Sequence, residues 1–307
     1  MDTRFLESFV IVADCGSIAE AARRQNLTAA AVAQRLRALE VEMDQSLVKR
    51  VGRTSQLTAS GLAILPHARA MIRSTRNLRA IAAQDEPAGQ LRLGATATAL
   101  TGQIPDIIAA LQSRHPSVDY FLQPGASVDL YHSVLSDDLD AAIIMQPPFS
   151  LPKSAQWRTL RSEPFVLLAP EKLKLSDYSA LLTAHPFIRY DRNQWGGQII
   201  DRFLHKQGIN VREVLELDAL DSIAALVSRG LGVAIVPDWA PPWPEGLRLR
   251  KLPLSKIEHR QIGVLWRNSG TNIAALQAFV RTCAELHPRD LTWCVCGGRS
   301  PKANEVR

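Results

Sequence analysis

The sequence predicts an α+β chain of several domains: an N-terminal helix-turn-helix with a two-stranded wing, one long helix, and a larger α/β region. Three observations carry that prediction. Short, capped, alanine-rich helical segments open the chain and lead into a basic strand–turn–strand pattern. A single stretch over 59–83 then keeps helical periodicity throughout. Beyond residue 89, short apolar runs alternate with helical ones, as in a sheet covered by helices. At 307 residues the chain is long enough for two or three cores.

The first helix is predicted over 4–13, where Phe5, Leu6, Phe9, Val10 and Ala13 recur at helical spacing. Ser17 starts a second, because Ser17 and Glu20 form the S-x-x-E capping box. Asn26-Leu27-Thr28 breaks it, and Thr28 caps a third helix that runs to about Met43. Val32, Leu36, Leu39 and Met43 share one face of that helix. Ala30, Gln34 and Arg37 lie opposite, flanked by Ala31 and Ala33. Helix, short turn and helix make the helix-turn-helix unit.

The alanines then have a physical use. Ala21 and Ala22 let the second helix cross closely over the third, and Ala29, Ala30, Ala31 and Ala33 keep the third slim enough for a major groove. Methyl contact with thymine and a bidentate Gln34–adenine pair are the matching chemistry. Leu47-Val-Lys-Arg-Val51 and Gln56-Leu57-Thr58, around Gly52-Arg53-Thr54, read as a wing that aims Arg50 and Arg53 at phosphate or the minor groove. Charge agrees. Residues 21–79 hold eleven Lys/Arg against three acids, a surplus of eight where the whole chain has +6. A polyanion-binding N-terminal part joined to a neutral remainder is the implication.

In the long helix Gly61, Ile64, Ala68, Met71, Thr75, Leu78 and Ala82 repeat with heptad-like spacing, flanked by Arg69, Arg73, Arg76 and Arg79. A dimerisation seam is the expectation, with packing against the helix's own domain as the competing one. Pro66 is expected to kink it. Asp85-Glu-Pro-Ala-Gly89 is a linker by composition. Strands are predicted over 91–95, 118–122, 141–145, 165–169, 214–217, 233–236 and 262–266, with helices such as 104–114 and 222–229 between them.

The N-terminal residues resemble the LysR-type transcriptional regulators. Phe9, Gly16-Ser17, Ala21-Ala22, Leu27-Thr28, Ala31-Val32, Leu39-Glu40, Leu47, Arg50 and Leu57-Thr58-Ala-Ser-Gly61 stand at that family's spacings. So do Leu91-Arg-Leu-Gly94, His115-Pro116, Leu139-Asp140-Ala141 and Gly230-Leu-Gly-Val-Ala-Ile-Val-Pro237 further on. The resemblance implies a winged helix-turn-helix over 1–60, a dimerising linker helix over 61–88, and an effector domain like the type II periplasmic solute-binding proteins. Its first lobe is expected over 89–161 plus 267–290, its second over 162–266, and a disordered tail over 291–307. The chain departs from the family at Ala29, Ala30 and Ala33, where a Gln-Pro pair and a Ser are usual, and at Met43-Asp44, where Leu-Gly is usual. Val48 stands for the usual Phe. Base reading therefore leans on Gln34, Arg35, Arg37, the wing and DNA shape.

The expected DNA-binding set is Ser17, Thr28, Ala29, Ala30, Ala31, Ala33, Gln34, Arg35, Arg37, Arg50, Arg53 and Thr54. The expected effector set begins with Thr96, Ala97 and Thr98, whose hydroxyls and helix-start amides suit a carboxylate. Ser127, Met145 and Gln146 close the same side, and Arg192, Gln194 and Trp195 face them from the second lobe. Implied partners are double-stranded promoter DNA, a small-molecule effector with carboxylates among the candidates, RNA polymerase, and further copies in a homodimer or homotetramer. No cofactor and no metal are expected, since Cys283, His287, Cys294 and Cys296 match no established zinc spacing. No run reaches the roughly 18 apolar residues of a membrane helix, and Met1-Asp-Thr-Arg-Phe-Leu is no secretory signal. The cytoplasm and its nucleoid are the expected place. An enzyme and an exported solute-binding protein are the rivals. No G-x-S-x-G, H-E-x-x-H or P-loop signature supports the first, and the basic wing argues against the second.

Overall fold

The computed structural model describes residues 2–52, 54–82, 87–174, 177–267 and 272–287. The head comprises α1 (Thr3–Cys15), α2 (Ile18–Arg24), α3 (Ala29–Met43), β1 (Val48–Val51) and β2 (Thr54–Leu57), and leads into α4 (Ala59–Ala82). Its helix starts are capped as their sequences dictate: Asp2 accepts from the Arg4 amide, Ser17 from Glu20 and Thr28 from Ala31. Leu6, Phe9, Val12, Ala21, Ala22, Val32, Leu36, Leu39 and Leu47 form one core. The buried Ala21 and Ala22 sit where α2 meets α3. Asp44 ends α3 with φ +49, the left-handed conformation that glycine adopts most easily.

The wing is tied down by local polar contacts. Glu40 Oε1 accepts from the amides of Leu47 (2.8 Å) and Val48 (3.1 Å), and the Ser55 amide donates to Gly16 O at 2.8 Å. Gly61, at the start of α4, is held against β1 so closely that a Cβ there would lie 2.1 Å from Leu47 O.

The first part of the long helix packs against its own domain, the second of the two expectations. Ala68 and Ile72 are buried against the head, and Ile64 and Leu65 pack beside them. Arg69 pairs with Asp14 at 2.5 Å. Met71, between the buried Ala68 and Ile72, and Leu78 further on are 44% and 58% exposed. Pro66 lies inside the helix, which continues on both sides of it. Arg53 and the side chains of Arg73, Arg76, Arg79 and Ala82 lie outside the described residues.

The rest of the chain is two α/β lobes. The first has β3 (Gly89–Ala95), α5 (Ala97–Gly102), α6 (Ile104–Arg114), β4 (Val118–Pro124), α7 (Ser127–Leu135), β5 (Ala141–Met145) and β6 (Ala155–Glu163). The second has β7 (Phe165–Pro170), α8 (Tyr178–Ala184), β8 (Pro186–Tyr190), α9 (Trp195–Gln207), β9 (Arg212–Leu217), α10 (Leu220–Ser228), β10 (Ala234–Pro237) and β11 (Leu249–Pro253). The described residues end with β12 (Arg260–Arg267) and α11 (Ile273–Leu286).

The first sheet has the order β4-β3-β5-β12-β6, with β3 parallel to β4 and β5, and β12 antiparallel to β5 and β6. In the second lobe β10-β7-β11 and β8-β9 meet through the Phe187–Val233 bridge. The 162–266 range expected for that lobe therefore runs too far. Its last segment, β12, is a mostly buried strand hydrogen-bonded between β5 and β6 of the first sheet. Only Pro164 separates β6 from β7, so β6 and β12 are the two strands that pass between lobes. The strands β6, β8 and β11 carry no alternation that marks them in the sequence. Arg158 and Arg161 interrupt β6, an edge strand, and Arg250 and Lys251 interrupt β11.

Candidate functional site

Two sites emerge, one on the head and one between the lobes. On α3 the buried Val32, Leu36 and Leu39 turn Ala30, Gln34 and Arg37 outward, and Ala29 and Thr28 are exposed at the helix start. Val41, 80% exposed, continues the same outer face and went unnoticed in the sequence because an isolated valine reads as core. Ala31 and Ala33 are half-buried on the flanks. No buried residue interrupts this face, which presents methyl groups, one amide and one guanidinium to solvent.

The remaining head residues have mixed positions. Ser17 and Thr28 serve as caps, their oxygens accepting helix amides. Arg35 is half-buried, and its Nη1 lies 3.4 Å from both Ser8 Oγ and Gln25 Oε1. It braces α3 against α1 and α2, unlike the outward Gln34 and Arg37. In the wing Arg50 is exposed and donates from Nε to Gly52 O at 3.1 Å, while Thr54 Oγ1 donates to Val51 O at 3.0 Å. Val51 pairs with Thr54 across the tip, where Gly52 has φ +60.

Between the lobes lies a cavity of about 420 Å³. Thr96, Ala97, Thr98, Ser127 and Met145 line it from the first lobe, and Gln194 and Trp195 from the second. The strand ends explain this convergence. Thr96 follows β3, Met145 ends β5, and Gln194 and Trp195 begin α9 after β8. This is the carboxyl edge of the parallel strands, where open α/β sheets bind ligands. The helices α5, α7, α9 and α10 all start at the cavity, and none has a side-chain cap. Their first-turn amides therefore have no side-chain acceptor at the edge of the cavity.

Two expected residues are elsewhere. Gln146 is exposed, its amide extending the sheet by donating to Gln261 O at 2.8 Å. Arg192 is drawn away by acids on β9: its Nε donates to Glu216 Oε1 at 3.0 Å and its Nη2 to Glu213 Oε2 at 2.5 Å. The hydrogen bond from Arg192 holds the Glu216 carboxyl below its ordinary range.

Sequence reasoning missed the polar floor. Arg260, 3% exposed, lines the cavity from the start of β12. Its Nε and Nη2 donate to Glu163 Oε2 at 2.8 and 2.5 Å, and Nη2 also reaches Thr98 Oγ1 at 3.3 Å. Glu163, 1% exposed, accepts from the Ala240 amide at 3.2 Å and lies 3.4 Å from Arg161 Nε. The pair joins the two crossover strands to the cavity wall. Nothing local announces it, because the partners stand 97 residues apart.

Tyr190 and Asp218 complete the wall from the second lobe. Burial pushes the Tyr190 phenol up to about 12, against the pull of the Arg260 charge. Burial and then the nearby Asp191 charge raise the Asp218 carboxyl. Gly197 is required where α9 begins, since a Cβ there would meet Asp191 O at 2.0 Å. Beside the cavity, Trp195 of the second lobe packs edge-to-face on Tyr131 (6.1 Å) and Phe149 (5.8 Å) of the first.

A winged helix-turn-helix head, a long connecting helix and a two-lobed domain closing on a cavity define a class: DNA-binding regulators that carry their own ligand-binding domain. The comparisons narrow the class to one family. Residues 3–62 match the family description "Bacterial regulatory helix-turn-helix protein, lysR family", and residues 84–288 match "LysR substrate binding domain". The chain belongs to the LysR family of DNA-binding transcriptional regulators.

Among its relatives, the HTH-type transcriptional regulator IlvR of Caulobacter vibrioides is 30% identical over 301 residues, covering 93% of this chain and 98% of that protein. The HTH-type transcriptional regulator CzcR of Bacillus cereus is 27% identical over 241 residues, covering 78% of this chain and 81% of that protein. Among solved structures, full-length CbnR complexed with its target DNA superposes with a TM-score of 0.68 at 21% identity, covering 93% of this chain and 99% of that one. Full-length OxyR from Pseudomonas aeruginosa gives 0.67 at 21% identity, covering 92% and 95%. These likenesses concern the fold. Among the described residues no helix is long and apolar enough to cross a membrane.

Proposed function

We propose that the chain acts as a dimer or tetramer that reads promoter DNA with α3 and the wing, and senses a small molecule in the interlobe cavity. The observation that carries this reading is the outer face of α3, where Ala30, Gln34 and Arg37 are exposed above a buried Val32-Leu36-Leu39 stripe. In the major groove the alanine methyls meet thymine methyls, Gln34 pairs with adenine, and Arg37 takes guanine or phosphate. Arg50 and Arg53 of the wing take phosphate or the minor groove, with Ser17, Thr28 and Thr54 hydroxyls along the backbone. Arg35 contributes by holding α3 in place.

Met71 and Leu78, seven residues apart and exposed on α4, supply the self-association seam. In the cavity an anionic group of the ligand sits on Thr96, Thr98 and the open helix starts. Closing the lobes across β6 and β12 changes the spacing of paired heads, hence DNA bending and contact with RNA polymerase. The site of action is the cytoplasm and its nucleoid, and the activity is regulation, not catalysis.

DNase footprinting on the region upstream of the protein's own gene tests this. Protection of two half-sites on one DNA face is expected, and the double substitution Met71→Asp, Leu78→Asp should convert the protein to monomers and abolish paired protection. Protection that survives in a monomeric variant, or no protection by the unaltered chain, overturns the proposal.

A further inference from the structure

The charges around the cavity do not cancel. Among the described residues Arg260 is the only cation lining the cavity, and Glu163 already neutralises it through two hydrogen bonds. Asp218 and Asp221, both from the second lobe, are the acids that line the space. Asp221 stands in the first turn of α10, where the helix's own free amides answer its charge. Asp218 lies before that helix, and among the described residues no hydrogen bond or ion pair reaches it. Asp218 is exposed at the edge of the cavity, yet partial desolvation there and then the Asp191 charge already raise its carboxyl. A ligand cation beside it favours the charged carboxylate and so opposes both effects.

The opposite wall has the reverse character. Thr96 Oγ1 is buried and has no hydrogen-bond partner. Thr98 is buried beside it and oriented by Arg260, and α7 starts at the same wall without a side-chain cap. One wall lacks a hydrogen-bond partner of anionic or acceptor type, and the other lacks a cation. The lining between them, Leu100, Trp195, Leu220 and Ile262, is apolar.

We propose that the cavity takes a zwitterion, an α-amino acid with an apolar side chain, its carboxylate on Thr96 and Thr98 and its ammonium on Asp218. The inference rests on reading the cavity as the ligand site. A plain carboxylate satisfies only the first-lobe wall and offers Asp218 no partner while bringing a like charge near it. A dicarboxylate places a second charge against Asp218 and Asp221. Asp218 thereby becomes the residue that decides between an amino acid and the carboxylic acid of the same skeleton.

Calorimetric titration of the full-length protein with the standard α-amino acids tests this. The tightest binder is then compared with its des-amino carboxylate and its decarboxylated amine. Loss of either group should weaken binding about ten-fold or more, the effect of one charge-assisted hydrogen bond. Asp218→Asn should weaken the amino acid by about ten-fold while leaving the des-amino carboxylate within about two-fold. The exposed position of Asp218 leaves folding intact. A des-amino carboxylate that binds as tightly as the amino acid, or an Asp218→Asn effect equal on both, overturns the zwitterion. If carboxylates bind in a manner that Thr98→Val weakens, while ammonium groups contribute nothing, the cavity reading survives and this inference falls. If neither class binds, both fall.

Discussion

Replacing Glu163 with Gln removes the one full negative charge that answers Arg260 and leaves the volume almost unchanged. Glu163 is 1% exposed and Arg260 3%, so water cannot take over the lost role. Glu163 Oε2 accepts two guanidinium hydrogen bonds, at 2.8 and 2.5 Å, and Oε1 accepts from the Ala240 amide at 3.2 Å. A glutamine keeps one acceptor oxygen and turns the other position into a donor facing a donor. Hydrogen bonds to charged groups contribute roughly 1.5–3 kcal/mol each, but here they share partners and do not add. Breaking a buried pair from one side costs about 3–5 kcal/mol, because a buried charge is left alone.

For a lobe pair of this size that is a fall in Tm of about 10 °C or more. The assay is thermal unfolding of the full chain followed by calorimetry, which separates head from lobes because a multidomain chain need not unfold in one step. Only the lobe transition should move. The double substitution Glu163→Leu, Arg260→Met should recover most of the loss, since apolar replacement of a buried pair is often neutral. An unchanged transition for Glu163→Gln, or a double variant as unstable as the single one, refutes the argument.

Three further outcomes follow from the geometry. Asp44→Gly should stabilise the head by roughly 1 kcal/mol in denaturant titration, because Asp44 holds φ +49 in a conformation easier for glycine. Gly61→Ala should destabilise the head by about 1–3 kcal/mol in the same titration, as its Cβ would lie 2.1 Å from the Leu47 carbonyl oxygen. Tyr190 has its folded value raised to about 12, above the unfolded value near 10, so the folded state holds that proton more tightly. The stability this contributes is complete below about pH 10 and is lost as pH rises toward 12. Thermal unfolding of Tyr190→Phe across that window should decline less steeply than that of the unaltered chain.

What could be read from sequence alone was what is decided locally. Ser17 with Glu20, and Thr28 at its turn, announce their helices within three residues, and the structure places caps at both. The strand after the linker, and β5, are apolar runs with clear ends, and the residues at those ends line the cavity. Arg260 and Glu163 were illegible because each is an ordinary charge in its own neighbourhood and acquires meaning only when β12 inserts beside β6. Arg192 was misplaced for the same reason: an arginine before a helix looks available for a ligand until β9 brings Glu213 and Glu216 beside it. The domain boundary at 162–266 failed where a strand late in the chain returns to the first sheet, a topological fact with no local signature.

The central claim, that the slim face of α3 and the wing read DNA, is tested most directly by one titration. Binding of the full-length protein to the DNA upstream of its own gene is measured at two salt concentrations, with Gln34→Ala and Arg50→Ala beside it. The account predicts binding that weakens with salt, a loss of about 1–3 kcal/mol and relaxed sequence preference for Gln34→Ala, and a shallower salt slope for Arg50→Ala. Binding indifferent to sequence and to both substitutions would contradict it, and the alanines of α3 would then be helix formers and nothing more.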